Sequence, residues 1–115
     1  TLAGLGWIGK SALFVTRSHG SALRLTSVVT DMPLNYGEAI CESQCGSCSK
    51  CVEACPGEAM AGTLWRPDVD RDFFFDVVKC RTKARALSQE RLQKEITLCG
   101  KCIEVCPYTQ KYINS

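Results

Sequence analysis

Histidine is nearly absent from this chain. His19 is the only one in 115 residues, which removes every metal site built mainly on imidazole. Long apolar runs are missing too: no stretch approaches the ~18 residues that a membrane helix needs, and no secretory leader pattern is visible. Charge of one sign is scarce, since 14 Lys and Arg face 12 Asp and Glu for a formal charge of +2. Bulk charge therefore gives no argument for a nucleic-acid partner. Aromatics make up 8% and all apolar residues 45%. That suffices for one small domain, or a piece of a larger protein, with a thin core, because chains of this size bury proportionally little surface.

What the chain has instead is cysteine, nine of them. Four stand in Cys45-Gly-Ser-Cys48-Ser-Lys-Cys51-Val-Glu-Ala-Cys55-Pro56, and three in the shorter Cys99-Gly-Lys-Cys102-Ile-Glu-Val-Cys106-Pro107. The first is the C-x2-C-x2-C-x3-C-P run in which three thiolates hold one [4Fe-4S] cube and the fourth reaches a second cube. Proline after the last ligand cannot donate a backbone hydrogen bond and turns the chain away. Overlaid, the two runs form an internal repeat in which Ile96 stands where the first copy has Cys45. Cluster one then takes Cys45, Cys48 and Cys51 with the crossing Cys106. Cluster two takes Cys99, Cys102 and the crossing Cys55, and lacks a ligand. Cys41 and Cys80 are the candidates. Cys80 is preferred, because Val77, Cys80, Ala84 and Leu87 form one apolar helical stripe while Arg81, Lys83 and Arg85 point mostly away. An inert buried thiol would fit the same stripe.

Disulfides fit poorly: the cysteine number is odd, and trios spaced two residues apart are badly placed for mutual bridging. Zinc prefers two-plus-two sets, often with histidine, and His19 is remote from both runs. Eight ligating thiolates and two oxidised cubes bring the formal charge to roughly −2. A chain so stapled is expected to be largely unfolded without its clusters, by analogy with zinc-dependent folding. Cluster-type cysteine usage implies a reducing compartment, the cytoplasm.

In chain order, the N-terminus opens without methionine in Thr1-Leu-Ala-Gly-Leu-Gly-Trp, which reads as the interior of a longer polypeptide. Gly4-Leu-Gly6-Trp-Ile-Gly9 fits the dinucleotide pattern, and Gly4 to Gly9-Lys10-Ser11 fits the phosphate-loop pattern. Asp31 sits about where a ribose-binding acid would. Both patterns need a strand just upstream to aim the loop at phosphate, and only three residues precede Gly4. The plainer expectation is a turn, a helix from about Trp7 to Thr16 and a strand from about Arg24 to Thr30. A loop runs from Asp31 to the first cysteine run. Val52–Ala54 belongs to a short helix, and Gly57–Met60 could add a turn. Residues 62–70 are turn-rich. Phe73, Phe74 and Phe75 supply core, or a lid keeping water off a cube. Helices are expected at about Val77–Leu87 and, capped by Ser88, at about Gln89–Ile96. Six of the 14 Lys and Arg lie between Lys79 and Lys94, either a solvated helix face or a docking surface for an acidic partner. Tyr108–Ser115 is a polar tail.

Ala3-Gly-Leu-Gly-Trp-Ile-Gly-Lys10, then Val28-Val-Thr-Asp-Met-Pro-Leu34, then two cysteine runs with a lone cysteine between them, resemble the C-terminal half of epoxyqueuosine reductases. These are cobalamin-dependent, double-[4Fe-4S] enzymes related to reductive dehalogenases. The resemblance spans nearly the whole chain. It implies that Cys55, Cys80, Cys99 and Cys102 hold one cube, and Cys45, Cys48, Cys51 and Cys106 the other. It also implies cobalamin in the full-length protein, a joint between domains at the first glycines, and a tRNA substrate if the whole is a true epoxyqueuosine reductase. The chain departs from the family's usual segments at Cys55-Pro-Gly-Glu-Ala-Met60, around Cys80 and at Cys106-Pro-Tyr108, so a relative acting on another substrate fits equally. The expected architecture is α+β: a helix-strand segment over 1–40, ending an upstream domain, and a ferredoxin-like double-cluster domain over 41–115. It would relay single electrons from a donor such as a ferredoxin or flavodoxin to an upstream catalytic domain. The rivals are a self-contained bacterial-type ferredoxin and a nucleotide-dependent iron–sulfur oxidoreductase using Gly4–Ser11.

Overall fold

Glycines on either side of Trp7-Ile8 decide the first element. The computed structural model, which describes residues 1–115, has a short antiparallel hairpin of β1 (Trp7–Ile8) and β2 (Phe14–Val15), with Trp7 opposite Val15 and Ile8 opposite Phe14. The helix expected over Trp7–Thr16 is therefore not formed. A Cβ on Gly6 would lie 2.1 Å from the carbonyl oxygen of Val15, so only glycine lets the strands approach. Ala12 at the hairpin tip takes a left-handed φ of 57°. The four paired residues are aromatic or β-branched, the types that favour a pleated surface.

The strand expected over Arg24–Thr30 is also absent. Residues 22–39 run without regular structure, and Leu25, Val28, Val29, Met32, Leu34 and Tyr36 all stand exposed. The chain then returns to its own start, where Ile40 N–H donates to the Thr1 carbonyl at 3.1 Å. The fold class is thus α+β, with a two-stranded sheet and four helices, but the N-terminal helix-strand extension is a hairpin and an exposed irregular segment.

The four helices carry the rest: α1 (Lys50–Glu53), α2 (Val77–Leu92), α3 (Lys101–Glu104) and α4 (Pro107–Ile113). α1 and α3 are the two copies of the repeat and pack against each other. Beyond them the copies diverge. Pro107 occupies the first turn of α4, where its missing N–H costs nothing, so the expected tail is mostly helical. Pro56 instead opens a turn, with Glu58 at φ 48°, and Met60 forms a bridge with Phe75 rather than a helical turn.

Asp76 caps α2, its side chain accepting from Lys79 N–H at 2.9 Å. Where two helices were expected there is one, because Ser88 does not cap. It is buried, donating to the Leu98 carbonyl (2.9 Å) and accepting from Leu98 N–H (3.2 Å). Those bonds pin the segment leading to Cys99 against α2.

Only 15 of 115 residues are buried. The main cluster is Ala59, Met60, Phe74 and Phe75, with Cys51, Cys55, Cys80 and Cys102 packed on its margin. Phe74 is 1% exposed and Phe73 78%, which separates core from surface within the aromatic block. Phe74→Ala should cost about 3–5 kcal/mol and Phe73→Ala within about 0.5 kcal/mol. Anaerobic denaturant titration of the holo protein measures both, and equal losses would refute this packing.

Candidate iron–sulfur site

The hairpin is positioned by α4. Thr109 is 3% exposed, and its hydroxyl oxygen accepts from Ser21 N–H at 3.1 Å. Gly20, at φ 61°, comes so close that an added Cβ would lie 2.2 Å from Thr109 N. Trp7 stands edge-on to Tyr108, ring centroids 5.2 Å apart, and His19 lies against Tyr112 at 4.6 Å. These contacts bring the start of the chain over the end of the second cysteine run.

Between them is a recess lined by Ser11, Val15, Cys45, Cys48, Cys51, Cys106, Pro107 and Tyr108. Three cysteines of the first run and the last cysteine of the second thus face one largely apolar space, with Ser11 and Tyr108 carrying the only hydroxyls on its wall. A Cβ on Gly9 would sit 3.5 Å from the Cys45 sulfur, so the hairpin closes that side. Burial, with Cys45 and Cys48 as neighbouring sulfurs, pushes the Cys51 thiol above its usual range.

Of the remaining cysteines, Cys55, Cys80 and Cys102 pack on the margin of the aromatic core. Burial raises the Cys80 thiol, and Cys55 and Cys99 raise it further. Cys102 is pushed up to about 11, first by burial and then by Cys80, Cys51 and Cys99. These neighbour sets put Cys55, Cys80, Cys99 and Cys102 together. Cys51, which lines the recess, is also a neighbour of Cys102. The Cys55 sulfur also accepts from Ala59 N–H at 3.4 Å, the kind of outer hydrogen bond that tunes a sulfur-ligated centre.

All nine cysteines are free thiols. No group of three or more His, Cys, Asp or Glu converges on a point suited to a single metal ion. Four thiolates bound to the corners of a cube stand farther apart than four bound to one ion, so a recess walled by sulfurs suits a cube better. The donor chemistry agrees: all sulfur, partly buried and apolar in setting, as iron–sulfur clusters require. Cys41 is exposed and outside both groups.

The glycine motif does not serve a phosphate. Ser11 is followed by a turn into β2, not by a helix whose N–H groups could receive an anion. Lys10 turns inward, donating to the Gly46 and Cys48 carbonyls at 2.9 Å each. Lys10, Ser11 and Tyr108 stand beside the cysteines without a local signal for it in the sequence. A lysine beside glycines signals a phosphate loop more readily than a contact 36 residues away.

Residues 44–109 match the 4Fe-4S double cluster binding domain. Among curated proteins, the chain is 32% identical over 111 residues to an epoxyqueuosine reductase of Synechocystis sp., an alignment covering 96% of this chain and 38% of that protein. It is 34% identical to the epoxyqueuosine reductase of Lactococcus garvieae, covering 98% and 31%, and 32% identical to that of Pseudomonas aeruginosa, covering 94% and 30%. The chain spans about a third of the length of these curated relatives. No solved structure gives a significant match. No helix is long and apolar enough to cross a membrane. With two groups of thiols on a repeated helix pair and a family match over both cysteine runs, the chain belongs to the 4Fe-4S double cluster binding domain family.

Proposed function

We propose that the chain is a ferredoxin-like relay domain of a longer cytoplasmic reductase, passing single electrons toward a cobalamin-type centre in the rest of that protein. The observation that carries this reading is the crossing of thiols, Cys106 with Cys45, Cys48 and Cys51 in one recess, and Cys55 with Cys80 on the margin of the core. The proposed ligands of cluster one are Cys45, Cys48, Cys51 and Cys106; those of cluster two are Cys55, Cys80, Cys99 and Cys102. When bound, each cube supplies one-electron storage with little motion of its surroundings.

The chain's own residues do the rest. α1 and α3, packed together, hold the two sulfur groups side by side, with Cys51 and Cys102 close enough to influence each other. Met60 and Phe75, both buried, keep water from the space between the core and cluster two. Val15, Pro107 and Tyr108 do the same at cluster one. A drier site destabilises the more highly charged state, so these walls set the potential as well as the fold.

Two surfaces support the partners proposed. The exposed apolar side chains between Leu25 and Tyr36 form the kind of patch that a larger protein covers. This chain spans only 38% and 31% of the Synechocystis and Lactococcus relatives, and an upstream catalytic domain is the occupant that fits. Lys79, Arg81, Lys83 and Arg85 are exposed on α2, the helix that bears Cys80, and none is in an ion pair. This suits an acidic donor such as a ferredoxin or flavodoxin. A tRNA enters only as substrate of the whole protein, if that protein is an epoxyqueuosine reductase.

Anaerobic iron and sulfide analysis tests the ligand set. Cys80→Ala should lower iron from about eight to about seven or fewer per chain, while Cys41→Ala leaves it unchanged; the reverse outcome would exchange their roles. Lys79→Glu with Lys83→Glu should slow reduction by a reduced flavodoxin roughly tenfold at low ionic strength, leaving reduction by dithionite unaltered. An unaltered flavodoxin rate would remove α2 as the docking face.

A further inference from the structure

Lys10 is 8% exposed, and the hydrogen bonds of its ammonium run to the carbonyls of Gly46 and Cys48, both at 2.9 Å. It has no carboxylate partner; the ion pairs of the molecule are Arg66–Asp68 and Lys101–Glu104. A buried ammonium without a counter-charge costs several kcal/mol, and two neutral carbonyls supply dipoles but no charge. The missing negative charge has an obvious place. Gly46 and Cys48 lie inside the first cysteine run, Ser11 lines the same recess as Cys45, Cys48, Cys51 and Cys106, and Gly9 abuts the Cys45 sulfur. Four thiolates around a 2+ cube leave a net charge of about −2, and one added electron makes it about −3.

We propose that Lys10 is the internal counter-cation of cluster one, fastening the Cys45–Cys51 loop and stabilising the reduced cube over the oxidised one. The proposal rests on the cluster-one assignment above. The fastening follows from the bonds: Gly46 holds a left-handed φ of 55°, and Lys10 ties its carbonyl and that of Cys48 to one point. The electrostatic part follows from proximity. A fixed positive charge in a site of low dielectric favours the more negative of two states, and the reduced cube is that state. Lys10 is thus a positioning residue for the loop and sets the potential of the cube the loop holds.

The test is a redox titration of the anaerobic holo protein by EPR, comparing wild type, Lys10→Gln and Lys10→Arg, with cluster one identified as the signal lost in Cys45→Ala. Lys10→Gln keeps a hydrogen-bond donor and removes the charge. It should lower the cluster-one potential by a tenfold or greater change in the reduced-to-oxidised ratio at fixed poise, ~59 mV for one electron. Cluster two should move much less, and Lys10→Arg should stay near wild type. Full iron content in Lys10→Gln with both potentials unmoved would overturn the electrostatic role. If Lys10→Gln keeps only about four irons, Lys10→Arg decides: eight irons and a near-native potential support a required charge, and equal loss in both variants overturns it. A wild-type protein without the [4Fe-4S] signature would instead defeat the parent assignment.

Discussion

Thiolate crossing between the two halves is the constraint on which the rest of this structure depends. Ordinary packing is thin here: the largest fully buried side chains are Trp7 and Phe74, and the main apolar cluster has four members. Such a core cannot offset the conformational entropy of ordering 115 residues. The sulfurs lie where the core ends. Cys51, Cys55, Cys80 and Cys102 pack on the margin of the aromatic cluster, and Cys106 faces Cys45, Cys48 and Cys51 across the recess. In the proposed assignment each inorganic cube is the centre of a half-core, and each run lends its last thiolate to the other's cube.

The repeat explains the symmetry, and its two breaks explain the function. In the proposed assignment Ile96, in place of a ligand, hands the eighth position to Cys80 on α2. The long basic helix would then be part of one cage, and its pinning by Ser88 and Leu98 part of the cage's geometry. The second break follows the prolines. Pro56 turns the chain into the bridge between Met60 and Phe75, whereas Pro107 starts α4, which receives the hairpin through Thr109, Tyr108 and Tyr112. One sulfur group is therefore roofed by the start of the chain and the other by the aromatic core. Two chemically alike centres gain different surroundings, which is how a protein makes them differ in potential.

The sulfur chemistry was legible in the sequence because ligand spacing is local and the repeat supplies its own register. The short helix of the first run lies where the ligands put it, and the stripe through Cys80 and Ala84 foretold the start of α2. The N-terminal third was misread for the opposite reason. Gly6, Gly9 and Ala12 form a hairpin only because α4 and the first cysteine run are there to hold it, contacts far apart in sequence. The expected strand over Arg24–Thr30 has the right composition but no neighbour in this chain, and a strand without a partner is not a strand. Ser88 looked like a cap because its residue type favours caps, yet its hydroxyl found Leu98 instead. Lys10 matched a phosphate loop in pattern and serves the opposite chemistry, a cation offered to a sulfur cage.

The central claim is that sulfur-held iron, and not apolar packing, joins the two halves. Anaerobic removal of iron by a chelator, followed by amide hydrogen exchange, tests it most directly. If iron joins the halves, protection in α1, α2, α3 and α4 disappears together as iron is lost. Helices that keep their protection in the iron-free chain would contradict the claim.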